Sequence, residues 1–219
     1  MDPREDEKRA AAEAAAAVVE DGMRLGLGTG TTVAHFLPAL ARRELRDLMC
    51  VSTSVATEEQ ARALGLPVQE FDVLDGLDLV VDGADQVSPD LWLVKGRGGA
   101  HTREKIAAAA ASRFLVIASS DKLVERIEPP VPLELLRFGL RSTIRHLESL
   151  GPVAVREDAP PSPDGNVIAD YTGPVDDPEA LSGRLDRWPG VVAHGLFAPE
   201  LVTEVLVGRA DGVVERLAR

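Results

Sequence analysis

Cysteine is almost absent from this 219-residue chain. Cys50 stands alone and cannot close an intrachain disulfide, which fits a reducing cytoplasm. Aromatics are scarce: two tryptophans, one tyrosine and five phenylalanines are too few for a stacking surface that reads nucleic acid. Positive charge is in the minority, since 24 Lys+Arg against 36 Asp+Glu leave a formal net charge of −12. So acidic a surface argues against non-specific binding to nucleic acid or an anionic membrane, because both need a basic footprint. A small anionic ligand stays open, because it senses local charge. Long hydrophobic runs are missing too. The longest uncharged stretch, Leu25 to Ala41, holds three glycines, three threonines and Pro38, whereas a membrane span takes about 20 predominantly apolar residues. The segment Met1 to Arg9 mixes both charge signs ahead of an alanine run interrupted by Glu13, unlike a secretory signal. The expectation is a soluble, cytoplasmic protein.

What is present is an ordinary apolar share, 45%, in alternating patterns. Ala10–Glu20 predicts a helix stopped by Gly22, and Met23–Leu27 a short buried strand. Gly28–Thr32 then opens a helix reaching about Arg43. Strands are predicted at Leu48–Ser52, Val68–Phe71, Leu77–Val81 and Arg113–Ala118, with helices at Ser54–Leu64 and from His101 to about Ala111. Strands alternating with helices imply a mainly parallel sheet covered on both faces, the Rossmann-like α/β class. Such sheets place ligand loops at the carboxyl ends of their strands. Gly28–Thr32, Ser52–Thr57, Asp82–Asp85 and Ser119–Lys122 therefore should meet along one edge.

The pattern changes after the proline-punctuated Glu128–Pro132. A helix near Leu140–Leu150, strands at Val153–Arg156 and Asn166–Tyr171, a helix at Pro178–Arg187 and a strand at Val191–Phe197 follow. This α-β-β-α-β order predicts a second, smaller α+β lobe of ferredoxin-like type. Thr203–Gly208 and Gly212–Arg216 read as a closing hairpin. The expected division is 1–128, completed by 199–219, and 129–198.

Four segments carry chemistry. Gly28-Thr-Gly-Thr-Thr32 is either an anion cradle, with hydroxyls and a helix N-terminus as donors, or a tight turn capped by threonine. Asp82-Gly-Ala-Asp85 brings two carboxylates together at a strand end. They can position hydroxyls, exchange protons or bind Mg²⁺; the plainer alternative is an acidic turn. Lys95-Gly-Arg-Gly-Gly-Ala-His-Thr-Arg-Glu104 combines cations, glycines and a carboxylate at a helix start. Glu104 can be a general base and the cations can stabilise an oxyanion; alternatively Glu104 complements the helix dipole and Thr102 or a residue before it caps. His101 and Glu104 are too few for a metal site, so His101 reads as a solvated histidine. Ser119-Ser-Asp-Lys122 offers an anion-binding lysine or a surface turn. His35, Cys50, Trp92 and Trp188 read as structural.

In order along the chain, these segments resemble the A-type ribose-5-phosphate isomerases. The likeness adds Thr102-Arg-Glu-Lys105, Gly165-Asn-Val-Ile-x-Asp170, Asp177-Pro178 and Pro189-Gly-Val-Val-x-x-Gly-Leu-Phe197, and so spans nearly the whole chain. It implies interconversion of ribose 5-phosphate and ribulose 5-phosphate through a cis-enediolate, with no cofactor and no metal. By matching position, Glu104 would be the base, Asp82 and Asp85 would hold sugar hydroxyls and assist ring opening, and Lys95 would stabilise the enediolate oxygen. Thr29, Thr31 and Thr32, with Gly28, Gly30, Lys8 and Lys122, would grip the phosphate, and Gly96, Gly98 and Gly99 would line the sugar. The resemblance also implies a homodimer or homotetramer.

Four positions depart from the family pattern: Thr31 for serine, Gln86 for glutamate, Arg97 for glycine and His101 for an apolar residue. Arg97 either crowds the sugar or points outward. A non-catalytic sugar-phosphate sensor and an isomerase of another pentose phosphate are the alternatives; intact Asp82, Asp85, Lys95 and Glu104 argue against the sensor.

Overall fold

A computed structural model describes residues 3–218. In chain order its elements are α1 (Pro3–Ala17), β1 (Arg24–Leu27), α2 (Thr31–Ala41), β2 (Met49–Ser52), α3 (Val55–Ala63), β3 (Leu79–Gly83), β4 (Gln86–Val87), β5 (Leu93–Val94), α4 (His101–Ala109) and β6 (Phe114–Ser119). Then follow β7 (Val131–Leu135), α5 (Leu140–Leu147), β8 (Val153–Val155), β9 (Val167–Tyr171), α6 (Pro178–Leu185), β10 (Val191–His194), β11 (Leu196–Phe197), β12 (Glu204–Gly208) and β13 (Val214–Ala218). The chain divides into two units: Met1–Ala84 with Arg103–Leu123 and Glu200–Arg219, and Asp85–Thr102 with Val124–Pro199. Residues 85–102 and 124–128 thus pack with the second unit, whereas the division read from the sequence runs at 128.

The first unit is built on a six-stranded sheet in the order β13-β12-β6-β3-β1-β2. All neighbours are parallel except the β12–β13 hairpin. Such strands are buried on both faces and need unbroken apolar runs; every residue of β6 is buried accordingly. Alanine at positions 11, 12, 15 and 16 gives α1 a buried stripe that packs closely into the core shared with α2. The chain leaves β1 to one side for β2 and returns on the other for β3. Their carboxyl ends therefore form a switch point, the usual ligand crevice of such sheets.

The strand expected at Val68–Phe71 does not form. Only Val68 bridges Cys50, and a single 3₁₀ turn begins at Phe71. Acidic residues at 70, 72 and 75 leave little apolar pattern to extend the pairing. β3 also runs later than expected, so Asp82 lies within the strand instead of after it.

In the second unit β7-α5-β8-β9-α6-β10 forms an antiparallel sheet in the order β10-β7-β9-β8, a complete ferredoxin-like β-α-β-β-α-β unit. Its first strand, β7, was hidden by prolines. Pro132 is tolerated in this central strand because its carbonyl meets Gly195 N, just beyond the end of β10. The missing N–H points to that same side, where the ladder has already ended. The predicted strand Val191–Phe197 is broken at Gly195 into β10 and β11, and β11 joins a separate small sheet in the order β11-β5-β4. Gly195 is required there, because a Cβ would lie 2.2 Å from the Lys95 carbonyl oxygen. Leu133, Leu147, Ala169, Tyr171 and Leu185 fill the core of this unit, joined by Trp92.

Candidate active site

The switch point of the first unit holds Asp82, only 1% exposed. Its Oδ1 accepts hydrogen bonds from Thr29 N (3.0 Å) and Gly83 N (2.7 Å). Gly28 lies beside it with no room for a side chain: a Cβ would meet the Asp82 Cγ at 2.0 Å. Thr29 Oγ1 shares a hydrogen bond of 2.8 Å with Thr53 Oγ1, joining the loops after β1 and β2. Gly30 takes the N-cap position of α2 without a side-chain cap bond, and Thr31 and Thr32 form the first turn. The start of α2 is therefore a set of backbone donors of the kind that suits an anion. The carboxyl ends of β1, β2, β3 and β6 lie on one edge of the sheet, as the sequence pattern required.

Both candidate phosphate lysines belong to this unit. Lys8 Nζ lies 2.7 Å from Glu5 Oε1, and Lys122 Nζ lies 3.1 Å from Asp121 Oδ2. Glu7, absent from the sequence argument, links the elements that carry them: its Oε2 accepts from Ser120 N (2.7 Å) and Ser120 Oγ (2.8 Å). Glu104 sits in the first turn of α4 and is 4% exposed. His35 is tied to Glu5 (2.9 Å), consistent with a structural part. Burial pushes the Cys50 thiol up to about 12, which removes it as a nucleophile at neutral pH.

The second unit holds Asp85 and the loop Lys95–Gly99. Lys95 is 2% exposed, with Nζ 5.5 Å from the centroid of the Phe197 ring. Its backbone N donates to Gly195 O. Gly96 adopts φ +108°, and a Cβ there would meet His101 Nδ1 at 2.6 Å, so no other residue fits. This close packing corrects the expectation of a solvated His101: its exposure is 0%. Asp85 Oδ2 accepts from Arg97 N at 3.1 Å. The Arg97 side chain turns outward, 81% exposed, with Nε 3.6 Å from Asp85 Oδ1.

Two groups missed in the sequence hold this loop and the start of the helix after it. Arg156 on the strand-end after β8 pairs with both oxygens of Asp170 at 2.7 Å and donates to the carbonyls of Gly96 (3.3 Å) and Arg97 (2.8 Å). Glu134, fully buried in β7, accepts from Thr102 Oγ1, so Thr102 spends its hydroxyl there. The sequence hints were Asn166 and Asp170, both in the Gly165–Asp170 segment. Gln86 has a structural task as well: its amide donates to Glu128 O (2.8 Å) and accepts from Glu128 N (2.9 Å), a pair that a carboxylate cannot make.

Known proteins resemble this chain in both sequence and fold. The model of the family described as ribose 5-phosphate isomerase A (phosphoriboisomerase A) matches residues 49–212. Ribose-5-phosphate isomerase A of Roseiflexus castenholzii is 46% identical over 95% of this chain and 94% of its own, and that of Caulobacter vibrioides is 43% identical over 96% and 97%. A solved D-ribose-5-phosphate isomerase in complex with phospho-erythronic acid superposes with TM-score 0.92 at 36% identity, covering 99% of both chains. The enzyme of Methanocaldococcus jannaschii gives TM-score 0.90 at 34% identity over 97% of this chain and 98% of its own. With likeness of sequence and fold along its whole length, this chain belongs to the ribose 5-phosphate isomerase A family.

Proposed function

We propose that the protein interconverts D-ribose 5-phosphate and D-ribulose 5-phosphate through an enediolate, a step of the non-oxidative pentose phosphate pathway. Family membership supports the reaction. The observation that carries it to particular residues is the burial of Lys95 and Glu104, 2% and 4% exposed. Charged side chains are almost never so buried unless held by partners, and ionisable groups held in that way are candidates for a functional site.

The chemistry assigns each group a part. Asp82 and Asp85 accept hydrogen bonds from sugar hydroxyls and assist ring opening. Glu104 takes the proton from C2 of the open aldose, and the C1 carbonyl becomes an enediolate oxygen. The Lys95 ammonium compensates that developing charge, which is where a preorganised cation lowers the barrier most. Glu104 returns its proton to C1 while the hydroxyl proton on O2 passes to O1, giving the ketose, so no redox partner enters the balance. The phosphate is held by the first turn of α2 with Thr29, Thr31 and Thr32, flanked by Lys8 and Lys122. Gly28 and Gly30 admit it, as Gly96, Gly98 and Gly99 admit the sugar.

The protein acts on its own small substrate as a cytoplasmic homodimer or homotetramer, without nucleic acid or membrane. Among the described residues no helix is long and apolar enough to cross a membrane. Of the catalytic groups in this proposal, Asp82 and Glu104 belong to the parallel-sheet unit, and Asp85 and Lys95 to the second unit. The test is direct: purified protein should isomerise millimolar ribose 5-phosphate without added metal, and Glu104→Gln should abolish turnover while sparing calorimetric binding of the sugar phosphate. Binding without turnover in the wild type would refute the enzyme in favour of a sensor.

A further inference from the structure

We propose that Glu134 is a positioning residue that fixes the first turn of α4, and through it the proposed base Glu104; the inference rests on the function proposed above. Glu134 sits in the middle of β7 with 0% exposure. A carboxylate so buried is costly unless hydrogen bonds replace its water. Three donors do so here. Oε1 accepts from Ser162 Oγ (2.6 Å) and Asn166 Nδ2 (2.8 Å), while Oε2 accepts from Thr102 Oγ1. Ser162 Oγ is itself fixed by the backbone N–H groups of Asn166 (3.1 Å) and Asp164 (3.3 Å).

The division of labour between the two oxygens is the key point. Ser162 and Asn166 clamp Oε1, which sets the carboxylate plane and aims Oε2 at the helix. Thr102 is the second residue of α4, and Glu104 follows two positions later in the same hydrogen-bonded turn. Fixing the Thr102 hydroxyl therefore fixes the direction from which the Glu104 side chain leaves the helix. A carboxylate at a helix N-terminus also complements the helix dipole.

Stability alone is a poor reason for this arrangement. Buried charges commonly add little stability beyond what apolar packing supplies, but they restrict geometry. Restricting geometry is what a proton transfer needs, since a misplacement of about 1 Å can cost about 100-fold in rate. The Gly165–Asp170 segment, to which no chemistry was assigned, now has a part at both ends. Asn166 steadies Glu134, and Asp170 steadies Arg156 beneath the Lys95–Gly99 loop.

The test compares Thr102→Val, Thr102→Ser and Glu104→Gln with wild type in full-length protein, measuring kcat, KM for ribose 5-phosphate and Tm. Thr102→Val removes the donor but keeps the shape; it should lower kcat about 10- to 100-fold with KM within about threefold, and lower Tm by several degrees because the buried Glu134 Oε2 loses its donor. Thr102→Ser restores the hydroxyl and should recover kcat to within about threefold of wild type. With kcat measured well below the melting range of each variant, Thr102→Val with wild-type kcat overturns the proposal, as does a deficit that serine does not repair. If wild type turns over and Glu104→Gln does not, such a result refutes Glu134 alone. A wild type without turnover refutes the proposed function, and this inference with it.

Discussion

Gly28→Ala puts the geometry of the switch point to the sharpest trial. The added Cβ would lie 2.0 Å from Cγ, 2.1 Å from Oδ1 and 2.5 Å from Cβ of Asp82. Carbon atoms settle at about 3.5–4.0 Å, so the two residues must separate by roughly 1.5 Å. The backbone of β3 has little freedom to retreat, because it is hydrogen-bonded between β1 and β6. The Asp82 side chain must rotate instead, losing its bonds from Thr29 N and Gly83 N. Overpacking costs about 1–3 kcal/mol and a lost hydrogen bond to a charged acceptor about 1.5–3 kcal/mol, partly offset by relaxation. A net loss of about 3 kcal/mol lowers Tm by roughly 6–12 °C in a chain of this size. Movement of Asp82 by more than about 1 Å should reduce kcat/KM about 100-fold if it holds the sugar.

Gly22→Ala is the control. Gly22 has φ +77° but nothing within 4 Å of its missing Cβ, so only the left-handed backbone is penalised, by about 1–2 kcal/mol. Thermal melts and steady-state kinetics on the pair separate backbone conformation from crowding. Gly28→Ala with wild-type kcat/KM, or with no greater loss of Tm than Gly22→Ala, would refute the crowding argument.

Arg156→Lys leaves one ammonium to serve either Asp170 or the two loop carbonyls; kcat should fall about tenfold, and unchanged kinetics would show that the loop holds itself. Arg97→Gly keeps the backbone N–H that binds Asp85 and removes only an exposed ion pair worth about 0–1 kcal/mol. Its kcat/KM should stay within about fivefold of wild type, and a change beyond tenfold would mean the side chain reaches the sugar. Hydrogen bonds from the Arg24 guanidinium and backbone hold the Asp78 carboxyl below its usual range. A depressed folded value means that its stabilisation is complete above the unfolded pKa of about 3.9 and is lost as pH falls through the lower folded value. Asp78→Asn should therefore flatten the acid limb in urea melts between pH 2 and 5, and an unaltered limb would refute the pairing. Cys50, its thiol raised to about 12, should resist alkylation at pH 8 in native protein and react fully once unfolded; native labelling would contradict its burial.

The parallel half of the fold was legible because strands buried on both faces spell themselves out, as in Leu79–Val81 and Phe114–Ala118. The second lobe was legible except for β7, where Pro129, Pro130 and Pro132 outweigh the apolar pattern; the strand depends on Pro132 falling where β10 has ended. Strands as short as Gln86–Val87 and Leu93–Val94 exist through pairing with each other and with β11, which no local pattern encodes. The candidate site divides in the same way. Gly28–Thr32 and Asp82 announce themselves because glycine and carboxylate stand at strand ends. Glu7 and Glu134 do not, since their meaning lies in partners 113 and 32 residues away. His101 looked solvated because nothing local shows that the bare Gly96 leaves room to bury it.

The scarcity of positive charge takes on a physical sense at the proposed phosphate site. Lys8 and Lys122 each rest against a carboxylate of their own segment, Glu5 and Asp121, and Glu5 also meets His35. An arriving phosphate must share these cations with their present partners. Each lysine then contributes about what an exposed ion pair does, 0–1 kcal/mol, and less at high salt. The directional part of the grip falls to the first turn of α2, whose N-cap Gly30 has no side chain to occupy the backbone donors. Those donors are neutral, fixed and indifferent to the net charge of −12. A polyanion needs many uncompensated cations in a row and finds none offered at either lysine. One phosphate needs a helix start and a little charge beside it, so an acidic protein can hold a sugar phosphate and still repel nucleic acid.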